Sequence, residues 1–150
     1  MLKKGIQLFV FVFMVVQLTA NIDLRNQFDK AIYSKSIAEN LKQTLQQKNS
    51  LTPTELGYLG ATKMLLAKHY YNPFNKLEIF NQGKVDLENA LKKDKNNAEI
   101  IFLRYSCAKN APHFLNYYQN LESDRIFLEN AVTSITDNDL KNRIKVFLKK

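Results

Sequence analysis

Two histidines, one cysteine, scattered glutamates and two tyrosine pairs are the residues of this chain most suited to chemistry. His69 and His113 stand far apart, and the chain contains neither a His-Glu-x-x-His run nor a His pair at helical spacing, so a metal site has no sequence framework. Gly57-x-x-Gly60 and Gly83 do not make a phosphate loop, and no Ser has the flanking Gly residues of a nucleophile elbow. Cys107 lies in the apolar run Ile100–Ala108 and reads as a small buried hydrophobe rather than a nucleophile. Glu55, Glu78, Glu88, Glu99, Glu122 and Glu129 fall among polar positions and read as solvated helix faces, since acid–base pairs need carboxyls apposed in a cleft. Tyr70-Tyr71 and Tyr117-Tyr118 both lie near inter-helix connections. Two readings stay open for them. They form an aromatic, basic recognition patch with Lys68, His69 and Lys109, or one tyrosine of each pair packs inward while its neighbour lies on the surface. Catalytic, cofactor and metal roles find no residues here, and the expectation is a protein that is not an enzyme.

The elements that must carry these residues are helical. Leu24, Phe28 and Ile32 form one stripe, and Ile37, Leu41 and Leu45 form a second that is out of phase with it. Ser34-Lys35-Ser36 is the natural turn between them. Thr52-Pro53-Thr54-Glu55 opens the next helix, which runs to about Tyr71 before Asn72-Pro73 ends it. A helix from Phe74 to about Lys93 follows, and Gly83 is expected to interrupt it. Ala98–Lys109 is strongly apolar, Ala111-Pro112 breaks it, and Ser123-Asp124 starts another helix. Thr136-Asp137-Asn138-Asp139 caps a last helix carrying Leu140, Ile144, Phe147 and Leu148. Strand signals are missing: there are no alternating Val/Ile/Thr runs and no Asn-Gly turns.

Residues 1–20 are set apart. Lys3 and Lys4 precede an apolar run from Ile6 to Leu18, and Leu18-Thr19-Ala20 resembles a peptidase site. The run matches a signal-peptide core and falls short of the roughly 20 residues a membrane span needs. The expectation is export to the periplasm or cell envelope. Residues 1–20 then form a signal peptide and 21–150 one helical domain, and membrane contact arises only through an uncleaved leading segment. With a single cysteine, no internal disulfide can form. Removing Lys3 and Lys4 takes the net charge from +8 to about +6, which suits an acidic peptide, an anionic glycan or a membrane face, and is also common in exported proteins without such a partner. The basic residues are spread along the chain, which argues against nucleic acid.

Leu87-Glu88-Asn89-Ala90 recurs as Leu128-Glu129-Asn130-Ala131, and at the same offset Ala67-Lys68 falls on Ala108-Lys109. A helical unit of about 41 residues used twice is the mark of a repeat array. Asn89 and Asn130 are expected to serve hydrogen bonds between helices. The fold class expected is all-α. It is a short right-handed array of about six or seven helices in antiparallel pairs, with a C-terminal capping helix.

Leu87 to Ile100, with Ala90-Leu91 followed by Asp94-Lys95-Asn96-Asn97-Ala98-Glu99, resembles a tetratricopeptide junction, with Lys95 where that family has Pro. The unit is longer than the family's roughly 34 residues, with the extra length around Asn72–Lys76 and Ala111–Tyr117. The stretch Asn110–Leu115, with Ile100–Arg104 before it, is also similar to a group of small exported bacterial proteins of unknown function. The first resemblance implies a groove lined by the first helix of each unit, made to hold an extended peptide. Its inward positions would be Tyr58, Ala61, Leu65, Lys68 and His69 in one unit, and Glu99, Phe102, Ser106, Lys109 and Asn110 in the other. Lys68 and Lys109 would then stack one unit apart and grip a peptide carboxylate or acidic side chain. The function expected is protein or peptide binding, or scaffolding, with an acidic partner favoured by those lysines. The alternative is an envelope enzyme or enzyme accessory with its site on the loops Asn72–Lys76 and Ala111–Tyr118. A third possibility is a structural protein that self-associates through its end faces.

Overall fold

The computed structural model describes residues 23–149, and the expected signal peptide lies outside them. Seven α-helices and two short 3-10 turns account for most of these residues, and no strand occurs among them. The helices are α1 (23–33), α2 (Lys35–Gln46), α3 (Pro53–Leu66), α4 (Pro73–Lys93), α5 (Ala98–Asn110), α6 (Leu121–Ala131) and α7 (Asn138–Leu148). The 3-10 turns are Ala67–His69 and His113–Leu115.

Side-chain caps fix most of the helix starts. Ser34 accepts from the Ile37 N–H, and Asp137 accepts from the Leu140 N–H. Thr52 and Glu55 form a reciprocal capping box, with Pro53 in the first turn where its missing N–H costs nothing. Asn72 and Asn97 each accept from two backbone N–H groups at the heads of α4 and α5. The second 3-10 turn ends at Asn116, whose left-handed φ of 50° reverses the chain before α6.

The core runs from Leu24 to Ile144, so every described element contributes to one hydrophobic interior. Its centre is α3, which is buried from Gly57 to Met64 with little amphipathic bias, as expected of a helix surrounded by others. It packs on α2, α4 and α5, and α5 in turn packs on α6 and α7. The closest approach is between α3 and α4 at Gly60 and Gly83. A methyl group built on Gly60 would stand 2.6 Å from the Gly83 carbonyl oxygen and 2.7 Å from the Leu87 nitrogen. The expected interruption at Gly83 therefore does not occur. α4 runs unbroken through it, because the missing side chain is what lets the two backbones meet.

The echoed residues share some surroundings and differ in others. Leu87 and Leu128 are both fully buried, while Ala90 is buried and Ala131 only half-buried. The Tyr58 hydroxyl of α3 reaches Glu99 of α5, 41 positions on. Lys63 and Arg104, one unit apart, each pair with a carboxylate from a following helix: Lys63 with Asp86 at 2.6 Å, Arg104 with Asp124 at 2.7 Å. Asn89 and Asn130 do not bridge helices. Asn89 accepts from Lys92 of its own helix, and Asn130 lies exposed. Inter-helix polar contacts come mainly from charged residues, with Asn97 bonding Thr54 at 3.3 Å as an uncharged example.

Candidate functional site

The most elaborate polar constellation joins the first and last described helices to the middle of the chain. Arg25 on α1 is 2% exposed. Its Nε and Nη2 donate to the two carboxylate oxygens of Glu99, each at 2.7 Å. Its Nη1 meets Asp137 at 2.7 Å and Asp139 at 3.1 Å at the head of α7. The Tyr58 hydroxyl donates to Glu99 at 2.8 Å. Arg143 extends the cluster outward, donating to Asp139 at 2.8 Å, to Asn26 at 2.9 Å and to Asp29. Burial works against the Arg25 charge, but the forked bond to Glu99 and the two aspartates raise its pKa above the ordinary arginine value. Burial and the neighbouring Glu99 charge likewise raise the Tyr58 phenol well above its ordinary value. The cluster is filled by its own members and holds the fold together. Glu99, expected on a solvated face or in an open groove, is one of its buried anchors because α1 delivers a cation to it.

A second cluster uses the same three kinds of side chain, an arginine, carboxylates and a tyrosine. Arg104 forks onto Asp124 at 2.9 and 2.7 Å and reaches Glu88 at 3.1 Å, while the Tyr117 hydroxyl donates to Glu88 at 3.2 Å. Glu88 is thus also drawn off the solvated face expected for it. Nothing in the sequence pattern distinguished Glu88 and Glu99 from the exposed glutamates. Their partners come from 16 and 74 residues away.

The positions expected to line a groove do not form an open one. Tyr58 is buried, with Phe28 of α1 packed edge-on at 5.5 Å. Phe102 is half-buried under Phe147 of α7 at 5.5 Å. The Lys68 ammonium donates to the Ile32 carbonyl at the end of α1, and the Lys109 ammonium lies over the Tyr105 and Phe147 rings. The two lysines are engaged by different elements instead of standing as a pair of cations. Leu65 is half-buried against the core, Ser106 donates to the Leu103 carbonyl within its own helix, and Asn110 donates to Ser106. His69 is half-buried with its Nε2 shielded. Burial and the adjacent Lys68 and Lys35 charges lower its pKa from the ordinary 6.5. In effect α1 and α7 lie across the surface that the resemblance assigned to a ligand.

Two concavities stand out among the described residues. A shallow, open groove of about 500 Å³ runs along the outer face of α4, lined by Glu78, Asn81, Gln82 and Val85 and closed at its base by the Lys63–Asp86 pair. A recess of about 100 Å³ lies at the Ala111–Tyr118 loop, where His113 and Tyr118 stand 5.8 Å apart, with Lys109 and Leu121 at its rim. That volume suits a few waters. The other loop of the alternative reading, Asn72–Lys76, is the capped head of α4 and belongs to neither concavity. Of the tyrosine pairs, Tyr117 packs inward against Phe80 while Tyr118 is exposed, and Tyr70 is half-buried while Tyr71 is fully exposed. The one-in, one-out reading describes both. Burial pushes the Cys107 thiol up to about 12, which suits the inert role expected for it. Among the described residues no group of acidic, His and Cys side chains is arranged to hold a metal ion, and no helix is long and apolar enough to cross a membrane.

No protein-family model matches the chain, and no curated protein or solved structure does so either.

Proposed function

We propose that this chain is a non-enzymatic docking module of the periplasm or cell envelope. In this reading it is exported, built as a tetratricopeptide-like array of antiparallel helix pairs closed by α7 as a cap, and takes an extended peptide segment of a protein partner. The architecture is supported by the contacts that step from α3 to α5 one unit on and by the buried Leu87 and Leu128 at equivalent sites. The observation that carries the docking role is the open groove on α4. Its volume falls within the range of ligand clefts. Asn81 and Gln82 each offer a donor and an acceptor, which is what a peptide unit needs on being taken from water. Val85, 57% exposed, supplies an apolar seat between them.

The test is site-specific photo-crosslinking in the cell envelope. A crosslinking side chain replaces Val85 or, as a matched control, Val146 on α7, which is equally exposed. A discrete adduct from position 85, absent from position 146 and lost on Asn81→Ala/Gln82→Ala, is expected. Identical patterns from both positions would remove the proposal. Recovery of the chain from the cytosol with residues 1–20 intact would remove the envelope assignment.

A further inference from the structure

The charges of this molecule are sorted along its helix axes. α1, α3, α5 and α7 lie side by side in the same sense. Phe28 meets Tyr58 and Ile32 meets Lys68, Thr54 meets Asn97, and Phe102 and Tyr105 meet Phe147. Their C-terminal ends therefore gather at one end of the molecule, together with the turns into α2, α4 and α6. Residues 30–37, 66–77, 109–120 and 145–149 make up this end. Each of the four segments contains lysine, and none contains Asp or Glu. Glu99, Asp137 and Asp139 at the heads of α5 and α7, with Asp94 at the C-cap of α4, sit at the other end.

The lysine-rich end also carries the most exposed aromatic side chains of the described residues: Tyr33 at 90%, Tyr71 at 100%, Phe74 at 81% and Phe114 at 84%. Each tops a different turn or helix head, and the first two turns of α4 stand clear of the core. Aromatics on projecting turns, ringed by lysines that outnumber the neighbouring Glu39, which pairs with Lys35, and Glu78, match the two needs of an anionic lipid interface. Rings settle at headgroup depth, and lysines on flexible stems reach the phosphates. A peptide needs concavity, and the recess at this end holds about 100 Å³.

We propose that this end docks on an anionic lipid surface, with Tyr71, Phe74 and Phe114 entering the headgroup layer and the surrounding lysines binding lipid phosphates. The surface is separate from the α4 groove, so it stands or falls independently of peptide docking there. It is also distinct from any membrane contact through residues 1–20, since it uses none of them.

The experiment uses residues 21–150, which hold the whole described core, so that the leading apolar run contributes nothing. Flotation is compared on phosphatidylcholine vesicles and on vesicles with about one-third phosphatidylglycerol. Binding to the anionic vesicles alone is expected, and it is released at about 0.5 M salt. A Phe74→Trp chain, the sole tryptophan, shifts its emission to the blue on those vesicles. Tyr71→Ser/Phe74→Ser/Phe114→Ser removes three exposed rings, leaves thermal unfolding unchanged and lowers vesicle affinity at least about tenfold. Lys35→Glu/Lys76→Glu places acids in the first turns of α2 and α4, where helix heads favour them, and weakens binding about as much. No flotation with anionic vesicles, unshifted Trp emission, or wild-type affinity in the triple variant would each overturn the proposal. Tight binding to polyglutamate without binding to vesicles would overturn it too, assigning the end to an acidic polymer instead.

Discussion

Arg25 shows what a single buried charge commits a small fold to. Its guanidinium is satisfied on every side, so the pair with Glu99 is retained at modest net gain, but removing one partner strands the other in a dry site. Arg25→Met should therefore lower unfolding free energy by about 3–5 kcal/mol, measured by urea titration. Arg25→Met/Glu99→Leu should recover much of that loss, and a double variant as unstable as the single one would show that the cation's other partners matter more than Glu99. Cys107 offers a second check at this scale. Half-buried, with its thiol pushed up to about 12, it should react slowly with iodoacetamide at pH 8 in the native protein and rapidly in urea, and equal rates would contradict that upward shift. The apolar positions and Cys107 were legible because their neighbours in sequence share their character. Glu88 and Glu99 were not, because an acid's environment is set by cations that folding alone brings to it.

At the scale of the helices, local chemistry read well. Ser34, Thr52 and Asp137 cap the helices expected after them, each beside the N–H donors it satisfies, while Asn72 and Asn97, which also cap α4 and α5, were read only as a helix end and part of a polar turn. α6 begins at Leu121, two residues ahead of Ser123, because its start lacks a side-chain cap and is fixed by packing. Gly83 was misread for the opposite reason. Propensity counts a glycine as a weakness, and the packing of α4 on α3 turns it into a requirement. Gly60→Ala and Gly83→Ala gain roughly 1 kcal/mol of helix propensity but force backbones apart, so each should destabilise the fold by about 1–3 kcal/mol or more. Gly57→Ala, whose added methyl would meet only side chains of Ile100 and Leu103 at ordinary contact distance, should be neutral or stabilising. Circular-dichroism melts of the three variants separate these outcomes.

The molecule as a whole joins an all-helical core to a sorted surface. Its response to acid follows from groups displaced in one direction. Burial would raise the carboxyls of Asp139 and Glu55, but Arg143 and Arg25 hold the first, and Lys48 and the Thr52 cap the second, below their ordinary 3.8 and 4.5. The folded state then binds fewer protons than the unfolded chain. This stability is complete above the ordinary carboxyl values and disappears as pH falls through the depressed ones. His69, lowered from 6.5, acts in the same sense at a higher pH: its contribution is complete above about 6.5 and declines as the solution is acidified below it. Urea midpoints should thus fall in two stages on acidification, and His69→Gln should flatten the upper one while leaving the lower intact. The charge polarity itself escaped the sequence reading. The lysines look evenly spread along the chain, and only the packing of the helices sets which of their turns stand together.

Arg25 and Asp139 are 114 positions apart, yet they share one contact. A ribosome delivers the arginine near the start of its work and the aspartates close to the finish. Until the final helix emerges, the guanidinium has Glu99 but lacks its other two carboxylates. Completion of the cluster waits on the last residues to arrive, so a polypeptide that stopped short of position 137 would leave a buried cation two partners short.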